Sequence, residues 1–299
     1  MSTSIFLPTG TGSQGRYVAQ QFLARGDAVH VLSRKPDSAI AQELQSLGAT
    51  LHIGDLDSTH VIEHALKLVN AVFLSMPAIP DAEVRRVKFI IDAARRNKQI
   101  KTLVYTGVAR TGEHEEFPGW NDDYPMAWFW KNKAIIQDMV CTAAFENWTI
   151  IHPALFTQNF CSPMVDLMHP GLADVHELRV VYGPDTLVDI VIAVDIARFV
   201  VAAVDAPAKF SGKIIPLTSE KLTADQIAEA LSEISGENIK VVHMGKEDEQ
   251  ALREQGWLPL DAQIWQRDVG YGVDIEALKQ YGVPLTPLTK ALDKAALGW

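Results

Sequence analysis

Three glycines near the start of the chain have the spacing of a phosphate cradle. Gly10, Gly12 and Gly15, within Thr9-Gly10-Thr11-Gly12-Ser13-Gln14-Gly15, fit G-x-G-x-x-G. In that pattern one glycine turns the chain off a strand. One lets backbone approach a pyrophosphate, and one lets a helix pack close on the sheet. The helix start then offers free N–H groups and a partial positive charge to the anion. The flanks agree with this chemistry. Ser4-Ile5-Phe6-Leu7 is a short apolar strand, and Tyr17, Val18, Phe22 and Leu23 recur at helical spacing. Arg25-Gly26-Asp27 reads as a helix stop, and Ala28-Val29-His30-Val31-Leu32 as the next strand. The stretch reads as a dinucleotide site in preference to an ordinary strand–helix turn.

Further candidates lie where later strands end. An acidic residue after the second strand would take the ribose hydroxyls of NAD; this chain has Ser33-Arg34-Lys35. Two cations suit a 2′-phosphate, and a guanidinium also stacks on an adenine face, so NADP(H) is expected over NAD. After the third strand Asp55, followed by Leu56, is placed to accept a hydrogen bond from the adenine amino group. A helix cap at Asp57-Ser58 competes with that use of the segment. Ser75-Met76-Pro77 forms a small-residue turn that would pass the nicotinamide ribose. The fifth strand ends at Tyr105-Thr106-Gly107, and the sixth runs into Pro153-Ala154-Leu155-Phe156 and on to Asn159. A loop over 109–125, rich in Gly, Glu, Asp and Pro, reads as a lid. It leads into Trp128-Phe129-Trp130 on a helix, and one helical face cannot hold all three rings.

The elements that must position these residues follow from periodicity. Strands are expected at 3–8, 28–33, 49–53, 70–75, 101–106 and 148–152, with helices at 14–25, 37–47, 58–68, 81–97 and 126–146. Such alternation predicts an α/β fold, a Rossmann-type doubly wound parallel sheet with ligands at the strand carboxyl ends. After Phe160 the alternation stops. Strands near 178–181, 187–191 and 213–217 and helices near 194–204, 223–235, 246–254 and 274–281 make a smaller C-terminal α+β domain. Thr223 and Gln226 stand at capping-box spacing. The expected division is an NADP(H)-binding domain over 1–155 and a substrate or partner domain over 156–299 closing a cleft. Parts of 185–218 are candidates for return to the first.

Composition sets the bounds. The 299 residues are 47% hydrophobic and 21% charged, which is ordinary for a globular protein. A formal charge of −10 argues against a nucleic-acid surface, which needs a basic stripe. The clusters Arg85-Arg86-Val87-Lys88 and Arg95-Arg96-Asn97-Lys98 read as the solvated face of one helix. Cys141 and Cys161 lack metal-type spacing and suit a reducing compartment. The start of the chain carries no basic n-region or apolar h-region, and no run is long enough to span a bilayer. A cytoplasmic protein without nucleic-acid or membrane partners and without a metal is expected.

With these residues in view, the chain resembles the NmrA-like branch of the atypical short-chain dehydrogenase/reductases. The likeness is strong from 3 to about 235 and thinner beyond. It rests on the glycine turn, Val31-Leu32-Ser33-Arg34, Gly54-Asp55, Leu103-Val104-Tyr105-Thr106, Trp130-Lys131-Asn132-Lys133, Trp148-Thr149-Ile150-Ile151-His152-Pro153 and Asp195-Ile196-Ala197-Arg198-Phe199. The resemblance implies an NADP(H)-binding Rossmann domain with a small C-terminal domain. The family's glycine motif is usually G-x-x-G-x-x-G, and Thr9 stands at its first position here. Short-chain dehydrogenases use Tyr-x-x-x-Lys, in which the tyrosine gives a proton and the lysine binds the nicotinamide ribose. The resemblance puts Lys133 in the lysine role, Phe129 in the tyrosine role and Thr106 at the helper serine, with His152 where arginine is frequent.

Phenylalanine has no proton to give, so two functions stay open. The first is an NADPH-dependent oxidoreductase passing hydride to a carbonyl, imine or conjugated alkene of an apolar or aromatic small molecule. Lys133 would hold the ribose, and Tyr124, Tyr105, Thr106, His114 or water would supply the proton. Trp128, Phe129, Phe156 and Asn159 would border the substrate. The second is a non-catalytic NADP(H)-binding sensor that acts on a protein partner. A non-redox step with a structural cofactor is a lesser third.

Overall fold

The computed structural model describes residues 3–257 and 259–299. The chain divides into two compact units. The first holds 1–115, 121–153 and 193–216, of which residues from 3 onward are described; the second holds 116–120, 154–192 and 217–299.

The first unit is built from alternating strands and helices. In order they are β1 (Ser4–Leu7), α1 (Gly15–Ala24), β2 (Ala28–Ser33), α2 (Ala39–Ser46), β3 (Thr50–Ile53), α3 (Thr59–Leu66), β4 (Ala71–Ser75), α4 (Glu83–Arg96), β5 (Thr102–Thr106), α5 (Ala127–Thr142) and β6 (Asn147–Pro153). The strands are near-continuous apolar runs such as Ile5-Phe6-Leu7 and Val72-Phe73-Leu74, all fully buried, as a sheet covered on both faces requires. The sheet has seven strands in the order Lys213–Leu217, β6, β5, β4, β1, β2, β3. The contacts β1–β2, β2–β3, β1–β4, β4–β5 and β5–β6 are all parallel. Strand order reverses between β1 and β4, which is the topological switch of a Rossmann-type doubly wound sheet.

Helix boundaries are set by local backbone. Gly26 closes α1 at φ 78°. Ser38 caps α2 by accepting the N–H of Ala41. Positive φ at Asp81 and Met126 delays α4 and α5 to Glu83 and Ala127, and Ala144 at φ 55° follows the end of α5 at Thr142. These three helix ends are therefore shorter than periodicity predicted.

The second unit has a three-stranded sheet in the order Glu220–Leu222, Val188–Val191, Leu155–Phe156, and a parallel pair formed by Lys240–His243 and Glu177–Val180. Thr223 and Gln226 complete the expected capping box on the helix Ala224–Ser235. Its inner face, Ile227 and Leu231, packs on Leu178, Val180 and Ile190. The helix Pro259–Asp268 and the strands Leu155–Phe156, Glu220–Leu222 and Lys240–His243 had no sequence expectation. The segment expected to be helical at 274–281 forms one 3-10 turn, Ala277–Tyr281. Among the described residues no helix is long and apolar enough to cross a membrane.

Candidate functional site

The glycine turn joins β1 to α1, and space rather than φ dictates its glycines. None of the three is at positive φ. A Cβ on Gly15 would stand 2.1 Å from the Thr9 carbonyl oxygen, and one on Gly10 2.6 Å from the Val31 side chain of β2. A Cβ on Gly12 would meet only the Thr9 oxygen, at 3.2 Å. So Gly10 and Gly15 let the turn close on itself and on the sheet, while Gly12 leaves an uncovered stretch of backbone. Thr9, at the position where glycine is usual, does not need glycine's freedom. Its φ is not positive, and its hydroxyl donates to the carbonyl of Ser75 at 2.6 Å. Among the described residues the N–H groups of Ser13, Gln14 and Gly15 have no backbone acceptor, and Gln14 leads α1 without a side-chain cap. Gln14 Oε1 is buried and unpartnered. This is an anion cradle at a helix start.

At the end of β2, Ser33 is buried while Arg34 and Lys35 are exposed and form no ion pair among the described residues. At the end of β3, Asp55 lies in a tight turn. Its Oδ1 accepts from the Asp57 N–H at 3.0 Å and the Ser58 hydroxyl at 2.8 Å. The Ser58 hydroxyl and the Asp57 amide hold the Asp55 carboxyl below its usual range. Leu56 packs against the core below. Asp57 pairs with Arg85 and Arg86, whose hydrogen bonds pull its carboxyl down to about 2. Ser58 begins α3 without a side-chain cap, its hydroxyl turned to Asp55 instead.

The ends of β4, β5 and β6 carry a second, buried set of polar groups. Register aligns Ser75 with Thr106, and Thr106 with Ile151. Met76 is buried and Pro77 exposed beyond Ser75. The ammonium of Lys133 donates to Oε1 of Glu83, and the two side chains are 6% and 0% exposed. Both sit on apolar stripes. Lys133 lies between Trp130 and Ile136 on the buried face of α5, and Glu83 heads the stripe Val87, Ile90, Ala94 of α4. The Phe129 ring presents its face to Lys133, with Nζ 5.3 Å from the centroid. Burial raises the Glu83 carboxyl, and Lys133 opposes that rise.

Tyr105 and His152 complete this cluster, while Thr106, the next residue along β5, points to the other face of the sheet. A Cβ on Gly107 would fall 2.9 Å from the His152 ring and 3.2 Å from the Tyr105 ring, so both rings border Gly107. Burial, with the Lys133 charge second, pushes His152 down to about 3. Burial, with the Glu83 charge second, pushes the Tyr105 phenol well up. Four buried atoms have no hydrogen-bond partner: Glu83 Oε2, Tyr105 Oη, Thr106 Oγ1 and His152 Nε2. Unmet hydrogen bonds are costly in a packed core, so these atoms make the surroundings of Glu83 and Lys133 a candidate functional position.

The other expected site residues are placed separately. Trp130 is buried on the core face of α5, whereas Trp128 and Phe129 are half-buried, so the three rings do divide between faces. Tyr124 sits in the turn before α5, where its carbonyl accepts the Ala127 N–H. His114 is buried in a 3-10 turn, His114–Glu116. Pro153 ends β6, and its carbonyl takes the Ala109 N–H at 3.0 Å. Ala154, Leu155, Phe156 and Asn159 belong to the second unit. There Leu155 and Phe156 pair with Ile190 and Val191, and Asn159 lies half-buried in the turn Thr157–Phe160. Glu83 was not anticipated. Its helical register with Val87, Ile90 and Ala94 was the available signal, since it puts a carboxylate on an apolar stripe.

Comparison with known proteins agrees with this architecture. The family model described as "NmrA-like family" matches residues 1–264. The NmrA-like family domain-containing oxidoreductase ptmS of Penicillium ochrochloron is 28% identical over 249 residues, covering 77% of this chain and 72% of that protein. The NAD(P)H azoreductase of Xenophilus azovorans is 27% identical over 256 residues, covering 84% of this chain and 81% of that one. Among solved structures, NmrA, a negative transcriptional regulator in complex with NAD, superposes with a TM-score of 0.76 at 19% identity, covering 96% of this chain and 93% of that one. The chain belongs to the NmrA-like family.

Proposed function

We propose that this protein is an NADP(H)-binding reductase that passes hydride to a carbonyl, imine or conjugated alkene of a flat, apolar small molecule. The observation that carries the reading is the cradle at Gly10–Gly15 together with two exposed cations, Arg34 and Lys35, that form no ion pair among the described residues. The residues present fit the nucleotide. Amides of Ser13, Gln14 and Gly15 would take the pyrophosphate, Arg34 and Lys35 the 2′-phosphate, and Asp55 and Leu56 the adenine side. Thr9, Thr11, Gly12 and Ser75-Met76-Pro77 would line the way across the switch point, with Pro153 at the end of β6 and Ala154, Leu155 and Phe156 next in sequence. The bound nucleotide would supply the hydride.

What this chain adds is a buried, polar floor made by Lys133, Glu83, Tyr105 and His152. The hydroxyl that the Tyr-x-x-x-Lys pattern puts four residues before the lysine is missing, because residue 129 is phenylalanine. A proton from Tyr124, Thr106 or solvent must therefore complete the reduction. That requirement favours acceptors whose proton is added after the hydride, and the relative named NAD(P)H azoreductase supports an aromatic acceptor. Trp128 and Phe129 offer half-buried rings for such a molecule; Phe156 and Asn159 are the candidates from the second unit.

Phe129 also favours a second reading, an NADP(H)-binding regulator that binds a protein partner, in line with the solved regulator of this fold. Calorimetric titration with NADPH, NADP⁺, NADH and NAD⁺ tests the shared premise. The reading expects tight binding of the phosphorylated pair that is lost in Arg34→Ala, and absence of binding overturns it. Turnover of NADPH with azo dyes or quinones then separates reductase from regulator.

A further inference from the structure

The buried pair Glu83–Lys133 has more to it than a tie between two helices. The switch point between β1 and β4 divides a bound dinucleotide, with one half over the ends of β1–β3 and the other over the ends of β4–β6. The first side carries Arg34, Lys35 and Asp55. The second side carries Lys133, and there the ammonium has one carboxylate partner, Glu83 Oε1. Among the described residues Lys133 makes no second hydrogen bond, so two of its N–H groups remain for a ligand. Glu83 keeps Oε2 free and buried. The neighbouring side chain at 129 gives only a ring face. Among the described residues Glu83 is the one hydrogen-bond and ion-pair partner of the Lys133 ammonium.

We infer that Glu83 is the positioning residue for the nicotinamide half of the site: it fixes the ammonium of Lys133 in a buried, charged and aimed state, the work for which no hydroxyl is present at 129. The inference rests on the dinucleotide reading above. An ammonium in an apolar stripe without its counter-ion swings out or loses its charge, because an unpaired buried charge is far costlier than a paired one. The adenosine half, held across the switch point by other residues, is unaffected by that loss.

The test compares two ligands on the full-length protein. One is NADPH; the other is 2′,5′-ADP, which carries the adenosine half alone. Glu83→Gln is expected to weaken NADPH roughly tenfold or more while 2′,5′-ADP stays within about twofold of wild type. A purely structural role would weaken both together, and that result overturns the inference, as does unchanged affinity for both. Lys133→Met should reproduce the NADPH loss. Glu83→Asp, which keeps the charge on a shorter arm, should recover part of it. The double variant Glu83→Gln/Lys133→Met should bind no worse than either single one, because the pair acts as a unit. Glu83→Asp, which keeps a counter-charge for Lys133, carries the ligand comparison if Glu83→Gln alone does not fold, and equal weakening of both ligands in it, or no change in either, overturns the inference. Failure of wild type to bind either ligand overturns the dinucleotide reading itself. Binding by wild type with an unchanged ligand ratio in Glu83→Gln overturns only the role of Glu83.

Discussion

The hydroxyl of Thr9 donates to the carbonyl of Ser75 at 2.6 Å, fastening the glycine turn after β1 to the end of β4. The bond bridges the switch point between β1 and β4. Thr9→Val keeps the shape and removes the donor. It should cost about 1 kcal/mol in urea unfolding, and NADPH affinity should fall by more than that of Gly26→Ala, a change in a turn remote from the cradle.

Gly15 and Gly12 should respond differently to the same methyl group. In Gly15→Ala the new carbon meets a backbone oxygen at 2.1 Å, which cannot swing aside. Overpacking of this kind costs about 1–3 kcal/mol or more, so the melting temperature should drop along with nucleotide binding. In Gly12→Ala the nearest atom is at 3.2 Å. That variant should melt close to wild type yet bind NADPH poorly, because its methyl group covers the backbone left open for phosphate. Equal melting temperatures for the two variants would contradict the geometry.

Stability should fall as the medium becomes acidic, well before ordinary carboxylates titrate. Burial pushes His152 down to about 3 and His169 down to about 4, and burial with two neighbouring histidines takes His52 to about 4. These rings are neutral in the fold but protonate near 6.5 once unfolded, so between those values the unfolded chain binds more protons. Above about pH 6.5 they contribute no slope. As pH falls below it, each withdraws up to ~1.4 kcal/mol per pH unit until its folded value is reached. Urea midpoints measured at pH 7, 6 and 5 should decline in order, and His169→Phe should flatten the decline. A midpoint independent of pH over this range would show that the rings are not buried neutral.

The missing acid at residue 129 can be restored. Phe129→Tyr places a hydroxyl on the ring that already faces Lys133. If the protein is a reductase limited by proton supply, ketone reduction should rise by about 10²-fold or more, the usual scale of general acid catalysis. Azo or quinone reduction should change little. No gain with any carbonyl would place the chemistry elsewhere or favour the regulator.

The sheet was legible because its strands are buried on both faces and alternate with amphipathic helices, so strand, helix and turn signals agree from Ser4 to Pro153. Strand ends then marked Arg34, Asp55, Ser75 and Thr106 as site positions. Much of the second unit was not legible. Leu155–Phe156 and Glu220–Leu222 are two and three residues long, too short for a period of two to register. Glu83 was hidden for another reason. An acidic residue in the first turn of a helix is usually a favourable charge on the helix dipole, so the residue type alone does not single out its place on the apolar stripe. The resemblance gave Lys133 the ribose, and its pairing with Glu83 across fifty residues of sequence can be seen only once α4 and α5 are side by side.

The first unit leaves off at Pro153 and resumes at Ala193, and this has a consequence for synthesis and for dissection. The resumed piece supplies the helix Ala193–Asp205, which packs on α1 and is bonded to it through Gln21 and Arg25, and the strand that covers the outer edge of β6. A nascent chain therefore cannot finish its first unit until residue 216 has left the ribosome, by which time 154–192 is already outside. Cutting the gene after codon 155 would release a fragment with a bare sheet edge and an uncovered α1, a template for sticking to its own copies rather than a free-standing binding module.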